Sequence, residues 1–129
     1  VAQNPDKRPL FSVGERLEIL GEVLAEFKNV ECDAFSGLTV EYAKHKGATV
    51  IVRGLRAISD FENEFMMALM NRKIAPQLET VFLMTSTEYT FLSSSAVKEL
   101  ARFGGCVTGL VPQIVQAALD EKRKQGWGF

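Results

Sequence analysis

The chain has a single histidine, His45, which excludes any mechanism needing two imidazoles from this chain. Cysteine is nearly as scarce, and Cys32 and Cys106 stand alone, with neither a CxxC nor a metal-ligand spacing. They read as small buried residues in a reducing compartment, so the expected location is cytoplasmic. An excess of either charge is also lacking: 15 Lys+Arg and 16 Asp+Glu leave a formal net charge of -1. No bulk field therefore draws the chain to nucleic acid or to an anionic membrane, and neither is expected as a partner. Any anion site must be local. Apolar runs such as Phe65 to Met70 fall far short of the ~20 residues that cross a bilayer. No charged-then-apolar leader opens the sequence, which leaves secretion without support.

What is present is enough for one core. The 129 residues are 47% hydrophobic and 24% charged, with nine Phe, and residues 1–129 are expected to form a single domain. Short β-branched runs alternate with amphipathic segments. Ser12-Val13-Gly14-Glu15 is a capping box, followed at helical spacing by Val13, Leu17, Leu20, Val23, Leu24 and Phe27. Val30 to Phe35 reads as a strand, and Ser36 as the cap of a helix through Ala43 that closes near Gly47. Ala48 to Val52 and Thr80 to Met84 read as strands covered on both faces. Ser59-Asp60-Phe61-Glu62 is a second capping box, opening a helix to about Arg72. Ser94 or Ser95 caps a helix that Gly104-Gly105 ends. Pro112 starts the last helix, with Val111, Ile114, Val115, Ala118 and Leu119 on one face and Lys122, Arg123 and Lys124 at its C-terminal end. The expectation is an α/β fold with a parallel sheet.

In such a sheet ligands bind outside the carboxyl ends of the strands. Three segments follow apolar runs there: Gln3 to Pro9 with Lys7 and Arg8, Arg53-Gly54-Leu55-Arg56, and Thr85 to Ser95. Lys7 and Arg8 read as solvated loop charges or as phosphate ligands, and Arg53 and Arg56 as surface arginines or as ligands. Ser93, Ser94 and Ser95 are helix caps or a phosphate cradle, since free amides and hydroxyls at a helix start bind anions. Together they suit a ligand with several phosphates. Glu64 is a solvated helical carboxylate or an acceptor for sugar hydroxyls or an adenine amine. Phe91 is expected in the core, whereas Tyr89 is placed to stack on a base. Six apolar residues in a row, Phe65 to Met70, wrap a helix completely; they mark either a fully buried helix or a subunit interface.

From Asn4 to Ala118 the chain resembles the bacterial phosphopantetheine adenylyltransferases. The runs that carry the likeness are Asn4-Pro5-Asp6-Lys7-Arg8-Pro9-Leu10-Phe11, Phe35-Ser36-Gly37-Leu38, Arg53-Gly54-Leu55-Arg56 with Ser59-Asp60-Phe61-Glu62, Ala68-Leu69-Met70-Asn71-Arg72, and Glu88-Tyr89-Thr90-Phe91-Leu92-Ser93-Ser94-Ser95. The resemblance implies a Rossmann-like nucleotidyltransferase fold. It also implies transfer of AMP from ATP to 4′-phosphopantetheine with Mg²⁺, giving dephospho-CoA and pyrophosphate in coenzyme A synthesis, by a homohexamer. Dephospho-CoA or CoA is then a further ligand. On this resemblance the pantetheine-side lysine falls on Lys7, the substrate-contacting arginine on Arg53, and a backbone contact with the pantetheine arm on Thr39, where the family is usually apolar. ATP contacts fall on Gly54, Leu55, Arg56, Glu64, Tyr89, Thr90, Phe91, Leu92, Ser93, Ser94 and Ser95. Lys7, Arg53 and Arg56 would balance charge on the reacting phosphates, and no protein ligand to a metal is implied.

The family opens with a strand, a Gly-x-Phe-Asp-Pro loop and a Thr/His-x-Gly-His motif whose histidine is thought to stabilise the transition state. These 129 residues hold none of them, and His45 lies in an unrelated segment. The chain is therefore expected to lack the N-terminal βα unit, on the order of the ~30 residues of a βαβ motif. No catalytic residue is assigned within it, and a polypeptide beginning at Val1 is expected to be impaired. Two other readings stand beside this one: a different nucleotidyltransferase of the same superfamily, and a nucleotide- or CoA-binding module without catalysis.

Overall fold

The computed structural model describes residues 1–4, 8–56 and 58–127, with the side chains of residues 58 and 59 outside that set. In chain order the elements are β1 (Ala2–Gln3), α1 (Val13–Val23), β2 (Phe35–Ser36), α2 (Thr39–His45), β3 (Val50–Leu55), α3 (Ile58–Ile74), β4 (Glu79–Met84), a 3₁₀ turn (Thr87–Tyr89), α4 (Ser94–Arg102) and α5 (Gln113–Lys124). This is an α/β chain whose two longer strands pair in parallel, as the alternation implies. It divides into two compact units, one of Phe35–Phe91 and one holding Gln3–Ala34 together with the segment from Leu92 onward.

In the Phe35–Phe91 unit, β3 runs beside β4 from Val50 against Glu79 to Leu55 against Met84, and α3 makes the crossover that a parallel pair requires. Apolar character predicts a strand over residues 48–52, but β3 continues through Arg53, Gly54 and Leu55. Main-chain pairing with β4 holds these three residues whatever their side chains, so only Arg56 follows the strand. The expectation of strands covered on both faces is also corrected. Ile51 packs on the core of Val40, Ala43, Ala75 and Leu78. Residues on the opposite pleat, Val52 and Leu83 among them, are each 59% exposed, because alternation turns them away from that core.

Three element boundaries shift for local reasons. The expected strand over residues 30–35 shrinks to β2, since the Asp33 carboxylate accepts the Ala34 N–H at 2.7 Å, a bond that competes with ladder pairing. Ser36 lies in β2 and does not cap α2; Gly37 turns the chain at φ +91° and Leu38 becomes the N-cap. Gly47, at φ +67°, closes α2 as expected. α3 begins at Ile58, ahead of the position from which Ser59 would cap it; the Ser59 side chain lies outside the described groups. Asp60 instead pairs with Arg56 at 2.9 Å.

The other unit is built on caps and one helical core. Ser12 Oγ accepts the Glu15 N–H at 3.2 Å, and Glu15 Oε2 accepts the Ser12 N–H at 2.7 Å, which is the capping box read from the sequence. Glu15 also pairs with Lys122 on α5 at 2.6 Å. Val97, Ala101, Val107 and Leu119 form the buried centre, with Leu92, Val111 and Trp127 packed around it. The cap of α4 is Ser93, not Ser94 or Ser95: its Oγ accepts the Ala96 N–H at 3.1 Å. Gly104, at φ +74°, ends that helix as expected. Cys32 is half-buried and Cys106 exposed, correcting the buried reading, because both lie in irregular segments between elements. Among the described residues no helix is long and apolar enough to cross a membrane.

Removing the Ser12 hydroxyl leaves an N–H of the first turn of α1 without its acceptor. Ser12→Ala is expected to lower unfolding free energy by about 1 kcal/mol. Urea denaturation should show a lower midpoint at unchanged slope.

Candidate active site

The unit that contains α4 holds a cavity of about 750 Å³ whose lining includes Arg8, Arg16, Leu92, Ser93, Ser94, Ser95 and Lys98. Its floor is the apolar side of the core, from Leu10 and Phe11 to Val111 and Leu119. The first intrahelical bond of α4 runs from the Val97 N–H to the Ser93 carbonyl at 3.0 Å. The amides of Ser94 and Ser95 therefore precede the helix's own hydrogen bonds, and their hydroxyls stand beside them. Arg8, Arg16 and Lys98 add positive charge, and no carboxylate is among the lining residues described. In a chain of net charge -1 any anion site must be local, and the described lining of this cavity carries positive charge without a carboxylate.

Arg16 and Lys98 escaped the sequence reading. Both sit on helices, where a cation reads as solvated surface. The signal for Arg16 was its place in the first turn of α1, four residues after the Ser12 cap. Its Nε is buried with no hydrogen-bond partner among the described residues. A guanidinium nitrogen in that state is a donor without an acceptor, which costs free energy until one arrives.

The remaining candidates belong to the Phe35–Phe91 unit. Arg53, on β3, is bound along one edge by Glu64 on α3. Its Nε donates to Glu64 Oε2 at 2.6 Å and its Nη2 donates to Glu64 Oε1. Arg56 Nε donates to Asp60 Oδ2 at 2.9 Å. Both arginines thus carry carboxylate partners, which the loop reading did not anticipate. Gly54 and Leu55 are strand residues and Thr39 is the first residue of α2. No hydrogen bond among the described residues joins Thr39 to Arg53 or Glu64. Tyr89 ends the 3₁₀ turn and Thr90 follows it, its Oγ1 donating to the Ser86 carbonyl at 3.4 Å. Phe91 is 69% exposed, so its expected core role is corrected; the adjacent Leu92 takes the core position. Lys7 lies outside the described residues.

The Arg53 hydrogen bonds, more than its charge alone, hold the Glu64 carboxyl below the usual glutamate range, against a smaller opposing effect of burial. Glu64 in turn raises Arg53. A carboxylate whose folded value is depressed contributes stability that is complete above its unfolded value, ~4.3, and is lost as pH falls through the folded value. Carbon-detected NMR should therefore find Glu64 titrating below the ordinary glutamate range. In Arg53→Ala its midpoint should move back up to the ordinary range, and an unchanged midpoint would mean the pair does not exist in solution.

Residues 1–100 match the family model described as cytidylyltransferase-like. The chain is 61% identical over 127 residues to the phosphopantetheine adenylyltransferase of Carboxydothermus hydrogenoformans, a match covering 98% of this chain and 78% of that protein. It is 54% identical over 122 residues to the enzyme of the same name from Alkaliphilus metalliredigens, covering 95% of this chain and 78% of the relative. Against that of Desulforamulus reducens it is 57% identical over 126 residues, or 98% of this chain and 78% of the relative. The α/β architecture with parallel strands is of the Rossmann type these nucleotidyltransferases share, and the chain belongs to the phosphopantetheine adenylyltransferase family.

Proposed function

We propose that the protein transfers AMP from ATP to 4′-phosphopantetheine in coenzyme A synthesis, giving dephospho-CoA and pyrophosphate in the cytoplasm. The observation that carries this reading is the cavity at the start of α4, with three serines, three cations and no carboxylate in its described lining. Close likeness to proteins bearing the phosphopantetheine adenylyltransferase name supports the choice of acceptor. In the reaction an oxygen of the acceptor's phosphate attacks the α-phosphorus of ATP. The bond to the β-phosphate breaks, and the electron pair leaves with pyrophosphate.

A phosphate monoester has its second ionisation near pH ~6, so at neutral pH the attacking oxygen needs no protein base. That suits a chain with one histidine. Catalysis then consists of positioning and of neutralising charge as it moves. The amides of Ser94 and Ser95 with Arg8, Arg16 and Lys98 hold the polyphosphate, and Lys7, Arg53 and Arg56 serve the reacting phosphates. Gly54, Leu55, Glu64, Tyr89, Thr90, Phe91, Leu92 and Ser93 remain assigned to the ATP side, and Thr39 to the pantetheine arm. Among the described residues no group of three or more His, Cys, Asp or Glu side chains could hold a metal ion. The Mg²⁺ that the family resemblance implies is assigned to the ATP phosphates, where it would supply charge neutralisation.

We further infer a homo-oligomer, a hexamer by family likeness. Within α3, Phe65 is 45% exposed and Met66 60%. This exposure supports the subunit-interface reading of the helix, with a second copy of the chain as its cover. Light scattering of the full-length gene product should show an oligomer at micromolar concentration; a monomer there removes this inference.

The function itself is tested by pyrophosphate release from ATP and phosphopantetheine by the full-length gene product. Nicotinate mononucleotide serves as the competing acceptor, and a preference for it would replace the proposal with another nucleotidyltransferase. Arg16→Met tests the cavity. The loss of one charge-assisted interaction, ~1.5 kcal/mol, should weaken binding of a non-hydrolysable ATP analogue by about tenfold. Thermal stability should not fall, because the Nε removed has no partner. Calorimetry giving parental affinity would take Arg16 out of the site.

A further inference from the structure

Beside the cavity at the start of α4 lies a second one, of about 430 Å³, whose lining includes Arg8, Lys98, Lys122, Gln125 and Trp127. Arg8 and Lys98 belong to the walls of both cavities, so the two share a boundary of positive charge. No carboxylate is among the described residues of the second lining. Arg8 and Lys98 have no ion pair among the described residues. Lys122 has one, with Glu15 at 2.6 Å. That pair uses one of the three N–H donors of an ammonium and leaves the others for a ligand. It also holds the head group in place, 5.9 Å from the centre of the Phe11 ring. The C-terminus of α5 brings about half an elementary negative charge, less than Arg8, Lys98 and Lys122 supply. Trp127, packed against the helical core, and Gln125, the C-cap of α5, complete the wall.

We propose that the second cavity is a pyrophosphate site, in which Lys122 and the shared Arg8 and Lys98 hold the leaving group after it parts from the nucleotide. Cations spread around a wall favour an anion whose charge is itself spread, and a diphosphate carries charge on both phosphoryl groups. Arg8 and Lys98 face both cavities, so the anion crosses the boundary without giving up its cations, and the first cavity is cleared for the next nucleotide. Arg16, Ser94 and Ser95 line the first cavity and not the second, whereas Lys122 and Gln125 line the second and not the first. Substitution can therefore separate the two. The identity of the anion rests on the reading of the protein as an adenylyltransferase, and the proposal goes beyond that reading by giving the product a site of its own.

The test is calorimetry on the full-length gene product, titrated with inorganic pyrophosphate and, separately, with a non-hydrolysable ATP analogue. Lys122→Met should weaken pyrophosphate binding about tenfold, the loss of one charge-assisted interaction. Binding of the ATP analogue should stay within about twofold of the parent, a split that a general structural defect would not produce. Arg16→Met should show the reverse, weakening the ATP analogue more than pyrophosphate. Gln125→Glu leaves the pair of Lys122 with Glu15 untouched and places a carboxylate in the wall. It should weaken pyrophosphate binding whether or not Lys122→Met folds. In two-dimensional NMR the Trp127 indole N–H, assigned through Trp127→Phe, should shift as pyrophosphate is added.

Orthophosphate binding as tightly as pyrophosphate, parental pyrophosphate affinity in Gln125→Glu, or an indole resonance that stays put while calorimetry records binding would each overturn the proposal. A parent protein that binds pyrophosphate in this way but does not turn over ATP and phosphopantetheine would instead overturn the function reading, which separates the two failures.

Discussion

Parallel pairing of β3 with β4 constrains the rest of its unit. Two parallel strands cannot be joined by a tight turn, so the chain must travel back along the sheet before the second strand begins. α3 makes that return, and its 17 residues span about 25 Å at 1.5 Å per residue, ample for strands of six. The consequence is positional. Both strands end at the same edge, where the Thr85 N–H donates to the Leu55 carbonyl at 2.9 Å. A side chain near the end of β3 meets one a turn or two into α3, and this is how Arg53 and Glu64, eleven residues apart, come into contact.

Charge is organised by pairing rather than by excess. Lys122 is held by Glu15 at 2.6 Å, Lys44 by Glu41 at 3.1 Å and Arg56 by Asp60 at 2.9 Å. Exposed pairs of this kind contribute little stability, typically ~0–1 kcal/mol, but each removes a cation from the general field. Arg8, Arg16 and Lys98 differ because they line a cavity with no carboxylate in its described lining. An anion there would meet donors for which no carboxylate of the described lining competes. With a Debye length near ~8 Å at physiological salt, what the ligand feels is this local set, not the chain's formal charge of -1.

Much of the architecture was legible because its signals are local. The Ser12 capping box is complete within four residues, and each half of it forms in the structure. Gly47 and Gly104 end helices at positive φ, a conformation that little but glycine adopts readily. What was not legible depended on partners distant in sequence. Three consecutive serines offer equivalent capping chemistry, and only the start of α4 decides that Ser93 caps. Residues 30–35 have strand-like side chains, yet an aspartate bonding to its neighbour's amide diverts the backbone. Arg53 looked like a loop residue because polar character marks the end of an apolar run, while the ladder to β4 follows main-chain bonds that no side chain reports. Arg16 was missed for a similar reason: a cation on a helix is ordinary until the helix is known to face a cavity.

The two arginines at the end of β3 show why sequence spacing alone misjudges a site. Arg56 and Asp60 are four apart at the start of α3, and their pair is local, forming wherever that turn of helix forms. Arg53 and Glu64 tie a strand to a helix, so their pair exists only when β3 and α3 are packed. A local pair reports the helix; a pair between elements reports the fold. The second kind is the one that holds a guanidinium in a fixed plane, because each partner is anchored by a different element. An arginine in water samples many rotamers, and a ligand must bear the cost of stopping it. Here folding has already borne that cost for Arg53, at the expense of part of its net charge.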